Sequence, residues 1–494
     1  MALINISGLT FSYDGSYDNI FEDVSFRLDT DWKLGFIGRN GRGKTTFLNL
    51  LMGKHEYKGS ISSTVDFEYF PYKVKSKHDS KNTIDLTESI YPSFMLWELL
   101  RELSLLEVEE EVLYRPFCTL SNGEQTKVLL ALLFLKENNF LLIDEPTNHL
   151  DREARKTVSD YLNTKKGFIL VSHDRAFLDN CVDHILSINR MGIEVVKGNF
   201  ASWWANKEKQ DNYELNENER LKKDIRRLSS AAKQAADWSD KTEKTKIGSR
   251  NSGIKPDKGY IGHKAAKMMK HSINIKARQQ EAIEKKSGLL RNIESAQSLK
   301  ISQLTYPSSR LAELEGISIY YGERQVCRDV CFTIEQGDRI SLCGRNGSGK
   351  SSILKLILGE PLSYKGMLRK GNGLEISYVP QDASFLEGGL TEYTVQNKID
   401  ESLFKAILRK LGFSRVQFDK DMLAFSAGQK KKVLVAGSLC KKAHLHIWDE
   451  PLNYIDVISR MQIEELLLEY KPTIVFVEHD NAFCENIATK KVEL

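Results

Sequence analysis

The feature that most constrains this chain is a five-part set of motifs written twice, in the same order and at nearly the same spacing. The first set is Gly38-Arg39-Asn40-Gly41-Arg42-Gly43-Lys44-Thr45, then Ser121-Asn122-Gly123-Glu124-Gln125, Leu141-Leu142-Ile143-Asp144-Glu145, Leu150-Asp151 and His173. The second is Gly344-Arg345-Asn346-Gly347-Ser348-Gly349-Lys350-Ser351, then Ser426-Ala427-Gly428-Gln429, Leu445-His446-Ile447-Trp448-Asp449-Glu450, Ile455-Asp456 and His479. The Lys-to-Ser intervals are 77 and 76 residues, the Ser-to-Asp intervals are both 23, and the Asp-to-His intervals are 29 and 30. A single glycine-rich loop is a moderate signal, but two ordered copies at matched spacing are hard to produce by chance. Leu34-Gly35-Phe36-Ile37 and Ile340-Ser341-Leu342-Cys343 read as buried strands entering the two loops, and residues 45–52 as the helix that the first loop opens. The chain is therefore expected to fold as two like α/β units.

Its length of 494 residues exceeds one ordinary core. Hydrophobic residues at 41% and charged residues at 28% fit soluble globular domains. The longest apolar run, Val128 to Leu135, is far too short for a membrane span. The first residues lack the basic region of a signal peptide. Seven scattered cysteines without CxxC spacing point to reduced core thiols in a cytoplasmic protein rather than disulfides or a zinc site. The net charge of +4 hides an asymmetry: between Arg220 and Arg278 there are 17 Lys and Arg against 5 Asp and Glu. One internal segment thus carries the cationic character, which suits a polyanionic partner.

That segment lies in a linker, residues 201–305, between a first unit (1–200) and a second (306–494). Leu221, Ile225, Leu228, Ala232 and Ala235 recur as on one helix face. A second helical stretch carries Ala265, Met269, Ile273, Ile283 and Leu290, with Lys276 and Gln280 interrupting its stripe. Between them, Gly248 to Pro256 cannot continue a helix. The simplest shape is an antiparallel two-helix hairpin with its tip near 241–264; the alternative is a charged tether. An arm of about 35 residues would reach roughly 50 Å.

The chemistry follows from residue type. Glycine-rich loops at helix N-termini present backbone N–H groups to phosphates (Gly38, Asn40, Gly41, Gly43; Gly344, Asn346, Gly347, Gly349), and Lys44 and Lys350 reach the same groups. The hydroxyls of Thr45 and Ser351 suit Mg²⁺, while Thr46 and Ser352 complete the loops. Asp144 and Asp449, each ending an apolar strand, would support the metal shell. Glu145 and Glu450 would orient or deprotonate the attacking water.

Together these motifs resemble the ATP-binding-cassette superfamily. The resemblance implies two tandem P-loop ATPase domains binding ATP with Mg²⁺, joined by the helical hairpin. It makes His173 and His479 switch histidines contacting the γ-phosphate, and Tyr13 and Tyr321 the aromatics that stack on adenine. It also implies that each P-loop is completed by the opposite cassette's signature, Lys44 by Ser426 and Gly428, Lys350 by Ser121 and Gly123. ATP would then close the halves and hydrolysis release them. Val379-Pro380-Gln381 matches the glutamine loop, whose Gln381 contacts Mg²⁺. The first cassette has Phe70-Pro71-Tyr72 there, and a phenol has no amide carbonyl to offer, so the two sites are expected to differ. A second departure, Asn453-Tyr454-Ile455-Asp456 against Asn148-His149-Leu150-Asp151, keeps the aspartate.

Fusion of both cassettes through a basic hairpin, the Glu145-to-Asp151 run and the Ser172-to-Arg175 run resemble the ABC-F proteins, which act on ribosomes. The intervals leave no room for an inserted arm, and only fifteen residues follow His479. In these respects, and in Asp31 to Lys44, the chain is similar to the antibiotic-resistance members, especially the Lsa type. That resemblance implies a cytoplasmic, ribosome-associated ATPase that enters the tRNA exit site of the 70S ribosome. It would protect the peptidyl-transferase centre against lincosamides, pleuromutilins and streptogramin A. The hairpin would contact 23S rRNA and P-site tRNA through Lys244, Lys246, Arg250, Lys255, Lys258 and Lys264, with Tyr260 stacking on a base. No membrane and no stable homo-oligomer are required. The alternatives are a housekeeping ABC-F translation factor and a transporter or DNA-associated ATPase.

Overall fold

Short segments that are apolar at every position need burial on both faces, and a parallel sheet covered by helices provides it. The computed structural model describes residues 2–13, 19–72, 81–136, 138–147, 150–189, 192–244, 303–345 and 347–494, together with His263 and Ala277. The chain divides into two compact units, residues 1–203 with 297–494, and residues 204–296.

In the first cassette six strands run in the spatial order Asp66–Phe70, Asn139–Asp144, Phe168–Val171, Lys33–Ile37, His184–Asn189 and Gly192–Lys197. All neighbours are parallel except the last pair. The second cassette repeats the plan with five parallel strands: Ile376–Val379, Leu445–Asp449, Ile474–Val477, Arg339–Cys343 and Lys490–Glu493. Phe168–Val171 and Ile474–Val477 are buried at every position, which is why neither shows polar alternation.

Each cassette adds a three-stranded antiparallel sheet, centred on Leu3–Phe11 in one and on Arg310–Tyr321 in the other. The helices Lys44–Leu51 and Lys350–Leu358 share cores with both sheets of their own cassette. Phe47 and Leu48 are buried with Ile4, Ile6, Phe36 and Leu142, and Ile353 and Leu354 with Leu314, Leu342 and Ile447. Phe47 sits among Phe21, Phe26 and Phe36, with ring centroids 5.5–6.1 Å away. This packing pins each helix N-terminus beyond the carboxyl end of the strand before it, where open α/β sheets place their ligands.

The helix Phe200–Lys244 spans 45 residues. Its first turn is satisfied from outside, since Asn199 Oδ1 accepts from Ser202 N at 3.1 Å and Asp179 Oδ1 from Ala201 N at 2.7 Å. Leu221 and Ile225 of the expected stripe lie on it, and Lys244 ends it. The expected hairpin tip beyond Lys244, with Lys246, Arg250, Lys255, Lys258, Tyr260 and Lys264, and the expected return arm lie, apart from His263 and Ala277, outside the described residues. Among the described residues no helix is long and apolar enough to cross a membrane. All seven cysteines are free; Cys181, Cys327, Cys440 and Cys484 are buried, while Cys118 and Cys331 are exposed rather than in the core.

His446 lies buried in the strand that ends at Asp449, its Nδ1 3.2 Å from Ser438 Oγ. Burial holds its pKa down at about 4, below the ordinary 6.5. Below pH 6.5 the unfolded chain takes up a proton that the folded chain refuses, so stability falls as pH drops toward 4. Between pH 7 and pH 5 this group is expected to cost about 2 kcal/mol. Denaturation midpoints of the parent and His446→Gln should converge at pH 5 relative to pH 7; a constant gap would refute the assignment.

Candidate ATP sites between the cassettes

The two glycine-rich loops end in helices without a side-chain cap: Gly43 and Gly349 occupy the N-cap positions with φ of 93° and 94°. A side chain at Gly43 would place its Cβ 2.5 Å from Ile20 Cγ2, so both the turn and its surroundings require glycine. The signature helices differ, since Ser121 and Ser426 close capping boxes with Glu124 and Gln429. The open N–H groups are thus concentrated where an anion is expected. Lys44 Nζ lies 2.6 Å from Gly38 O and 3.3 Å from Asn40 Oδ1; Lys350 Nζ donates to Gly344 O and Arg345 O, both at 2.8 Å. Burial lowers the pKa of both ammonium groups, offset by nearby carboxylates.

The hydroxyl and carboxylate of each candidate metal site meet. Thr45 Oγ1 is 3.3 Å from Asp144 Oδ2, and Ser351 Oγ is 3.1 Å from Asp449 Oδ1. Tyr69 also donates to Asp144 Oδ2 at 3.0 Å, a contact that sequence reasoning missed. Tyr13 and Tyr321 stand half-exposed beside the loops, with hydroxyls 2.9 Å from Thr46 Oγ1 and 3.2 Å from Ser352 Oγ. Asn346 lies outside the described residues.

Glu145 and Glu450 follow their strands with φ of 52° and 47°, a left-handed backbone that a carboxylate adopts only at some cost. Their environments differ. Glu450 Oε2 accepts from Gln381 Nε2 at 2.8 Å and from Asn453 Nδ2 at 2.6 Å, and His479 Nε2 is 3.5 Å from Oε1. Burial alone would raise this carboxyl, but His479, Gln381 and Asn453 outweigh it and hold the pKa at about 2. Glu145 has His173 Nε2 3.1 Å from Oε1, yet the approach is not aligned and that buried oxygen has no hydrogen-bond partner among the described residues. Burial, reinforced by Asp144, pushes Glu145 up to about 8, while burial and Lys44 hold His173 far below its ordinary value. Tyr72, in the place that Gln381 holds in the second cassette, has Lys136 Nζ 5.3 Å from its ring centroid. Its hydroxyl is buried beside Glu68 without an aligned partner.

Residues of the opposite cassette border both candidate sites, and not equally. Lys350, Ser351, Gln381, Glu450 and His479 line a cavity of about 1070 Å³ together with Ser121 and Gly123. On the other side Asn40 Nδ2 donates to Tyr454 O at 2.6 Å, and Asn40 N approaches Asp456 Oδ2 at 3.4 Å. Gly428 is packed so closely that a Cβ there would lie 2.2 Å from Tyr454 O and 2.9 Å from Asn40 Nδ2. Cross-cassette ion pairs add to this: Arg345 with Glu153 at 2.9 Å on the surface, and a buried pair of Arg175 with Glu464. Neither was foreseen, because partners 192 and 289 residues apart leave no local signal.

These distances predict unequal tolerance to one methyl group. Gly428→Ala overpacks the interface and is expected to cost about 1–3 kcal/mol. Gly123→Ala meets nothing closer than 3.7 Å and is expected to stay within about 0.5 kcal/mol. Thermal melts of both variants without nucleotide decide the point; equal shifts would contradict the unequal closure.

Comparison with known proteins places this geometry. The sequence profile described as "ABC transporter" matches residues 21–148 and 327–453, one copy per cassette. Ribosome protection protein VmlR of Bacillus subtilis is 28% identical, over 97% of this chain and 85% of that protein. Erythromycin resistance ATP-binding protein MsrA of Staphylococcus epidermidis is 27% identical, over 94% and 92%. ATP-binding protein Uup of Escherichia coli is 25% identical, over 99% and 80%. These relatives are ABC-F proteins. Among solved structures, the archaeal ribosome recycling factor aABCE1, in complex with a ribosomal stalk protein, superposes with a TM-score of 0.63 at 19% identity, covering 98% of this chain and 87% of that one. The RNase-L Inhibitor gives 0.62 at 20%, covering 98% and 86%. Both likenesses show the shared fold. With one profile match in each cassette, together spanning more than half of the chain, the chain belongs to the ABC transporter family and is an ATPase with two of its ATP-binding domains in tandem.

Proposed function

We propose that this protein is an ABC-F ATPase that binds the ribosome, enters the tRNA exit site, and protects the peptidyl-transferase centre from lincosamides, pleuromutilins and streptogramin A, as the Lsa-type members do. The observation that carries the reading is the pairing of each P-loop with the opposite signature in a single chain whose central segment is strongly basic. Similarity to VmlR and MsrA along nearly the whole chain supports the resistance role.

The residues at the two sites fit Mg²⁺. The hydroxyl and carboxylate pairs Thr45–Asp144 and Ser351–Asp449 offer hard oxygen donors and no nitrogen or sulfur. Mg²⁺ commonly takes only one or two protein ligands and completes its shell with phosphate and water. When bound, it neutralises charge on the β- and γ-phosphates. Gln381 would add its amide in the second site. Lys44 and Lys350 exchange their loop carbonyls for phosphate oxygens, and Tyr13 and Tyr321 cover adenine. Glu145 and Glu450 orient the attacking water, with His173 and His479 beside the γ-phosphate. Ser121 with Gly123, and Ser426 with Gly428, reach the nucleotide held by the partner loop. ATP then draws the cassettes together, and hydrolysis lets the protein leave the ribosome.

In the basic hairpin, Lys244, Lys246, Arg250, Lys255, Lys258 and Lys264 contact 23S rRNA and P-site tRNA phosphates, an affinity that weakens with salt. Tyr260 stacks on an unpaired base. The protein acts in the cytoplasm and needs no homo-oligomer. A second reading, a housekeeping ABC-F translation factor, is favoured by similarity to Uup over 99% of the chain.

The Glu145→Gln, Glu450→Gln double variant with ATP is expected to co-sediment with 70S ribosomes and to release a bound lincosamide or pleuromutilin. Trapping without drug release selects the housekeeping reading. A variant that binds ATP yet stays off ribosomes in low salt overturns both.

A further inference from the structure

Three consecutive lysines, 430–432, follow the second signature, and all three are buried. Lys432 answers Asp456 at 2.7 Å, and Lys430 ends on Ser384 O and Leu386 O. Lys431, only 2% exposed, does something different. Its Nζ donates to Pro380 O at 2.8 Å and to Glu450 O at 3.1 Å. Pro380 precedes Gln381, whose amide holds the Glu450 carboxylate at 2.8 Å. One ammonium therefore ties the backbone of the glutamine loop to the backbone of the glutamate on which that loop acts.

Among the described residues the first cassette lacks this tie. Counting from each signature serine, Thr126 stands where Lys431 does. Its hydroxyl returns to its own helix, donating to Asn122 O at 2.8 Å. A cavity of about 450 Å³ lies between Gln125, Thr126, Leu129 and the loop of Phe70, Pro71 and Tyr72. Tyr72 there packs with Lys136, whose Nζ lies 5.3 Å from its ring centroid.

A buried ammonium with two carbonyl acceptors is costly to place and strongly directional. Its energy is realised only when both carbonyls lie within hydrogen-bond reach, so it fixes their separation. A catalytic carboxylate loses effectiveness steeply with small misplacement. We propose that Lys431 is a positioning residue of the second ATP site, holding the Gln381 loop against Glu450, and that it makes this site the faster of the two in ATP hydrolysis. The inference rests on Glu145 and Glu450 being the catalytic carboxylates.

The test uses the full chain in two backgrounds, Glu145→Gln, which leaves the second site to turn over, and Glu450→Gln, which leaves the first. The Glu145→Gln protein should be the faster. In that background Lys431→Met should lower kcat roughly tenfold or more, with KM for ATP changed by less than about threefold. Lys431→Gln, which keeps a donor, should recover part of the loss. Added to Gln381→Ala, Lys431→Met should cost little more, because both changes release the same contact. In the Glu450→Gln background the effect on kcat should stay within about twofold. An equal fall in both backgrounds would mean a general structural role, no fall in either would mean no role, and either result overturns the proposal. The Glu145→Gln, Glu450→Gln protein must be inactive. If it hydrolyses ATP, the glutamate assignment fails, and the proposal fails with it.

Discussion

The assembly of the two cassettes depends on a carboxylate that has no access to water. Asp456 is fully buried, and it survives as an anion only because its oxygens are all engaged. It caps the helix Val457–Tyr470 through Ser459 N at 2.9 Å, accepts from Lys432 at 2.7 Å, and faces Asn40 N of the opposite loop at 3.4 Å. Burial would push this carboxyl up, but the charge and hydrogen bond of Lys432 hold it well below the usual carboxylate range. Such a pair adds little net stability, since desolvation of both ions offsets most of their attraction. What it adds is uniqueness of geometry. The signature helix, the loop after Glu450 and the first P-loop can meet in few other ways without leaving a charge stranded.

The equivalent Asp151 is half-buried, caps its own helix through Ala154 N at 2.9 Å, and borders the large cavity instead of a closed contact. The same motif thus sits in two electrostatic settings. Where the interface is closed, Glu145 Oε1 has no hydrogen-bond partner among the described residues and burial favours the neutral form. Where it is open, three side chains surround Glu450 and favour its anion. Pseudo-symmetric sequence does not produce symmetric chemistry when the flanking residues differ.

The sequence pattern located both loops, both signatures, the strand-end carboxylates and the histidines because these motifs are local. Their spacing is fixed by the covalent chain, and strand, glycine-rich loop and helix must follow one another. The absence of an amide at Tyr72 was also readable as a departure from the second copy. What could not be read was which neighbour each site would acquire in space. A run of three lysines carries no signal of burial, yet the side chains of Lys430, Lys431 and Lys432 reach buried carbonyls and a carboxylate. Nor does any local motif mark Tyr69, whose hydroxyl donates to Asp144 across the sheet. The pairing of Arg175 with Glu464 exists in the first cassette's switch region only; Asn481 follows Asp480 where Arg175 follows Asp174, so comparing the copies gave no hint of it.

That pairing bears on how a phosphate site can be linked to the rest of the chain. Helix Arg175–Cys181 begins two residues after His173 and is capped by Asp174. From this one element Arg175 reaches Glu464 of the second cassette, and Asp179 accepts from Ala201 N in the first turn of the helix Phe200–Lys244. Arg155 joins the set, donating to Asp174 Oδ2 at 3.1 Å and to His479 O at 3.3 Å. Short charge-assisted contacts of this kind do not stretch gradually; they hold or break. A shift of the His173 loop therefore bears at once on the cassette interface and on the first turn of the helix Phe200–Lys244. That is the mechanical arrangement a nucleotide-driven release would need.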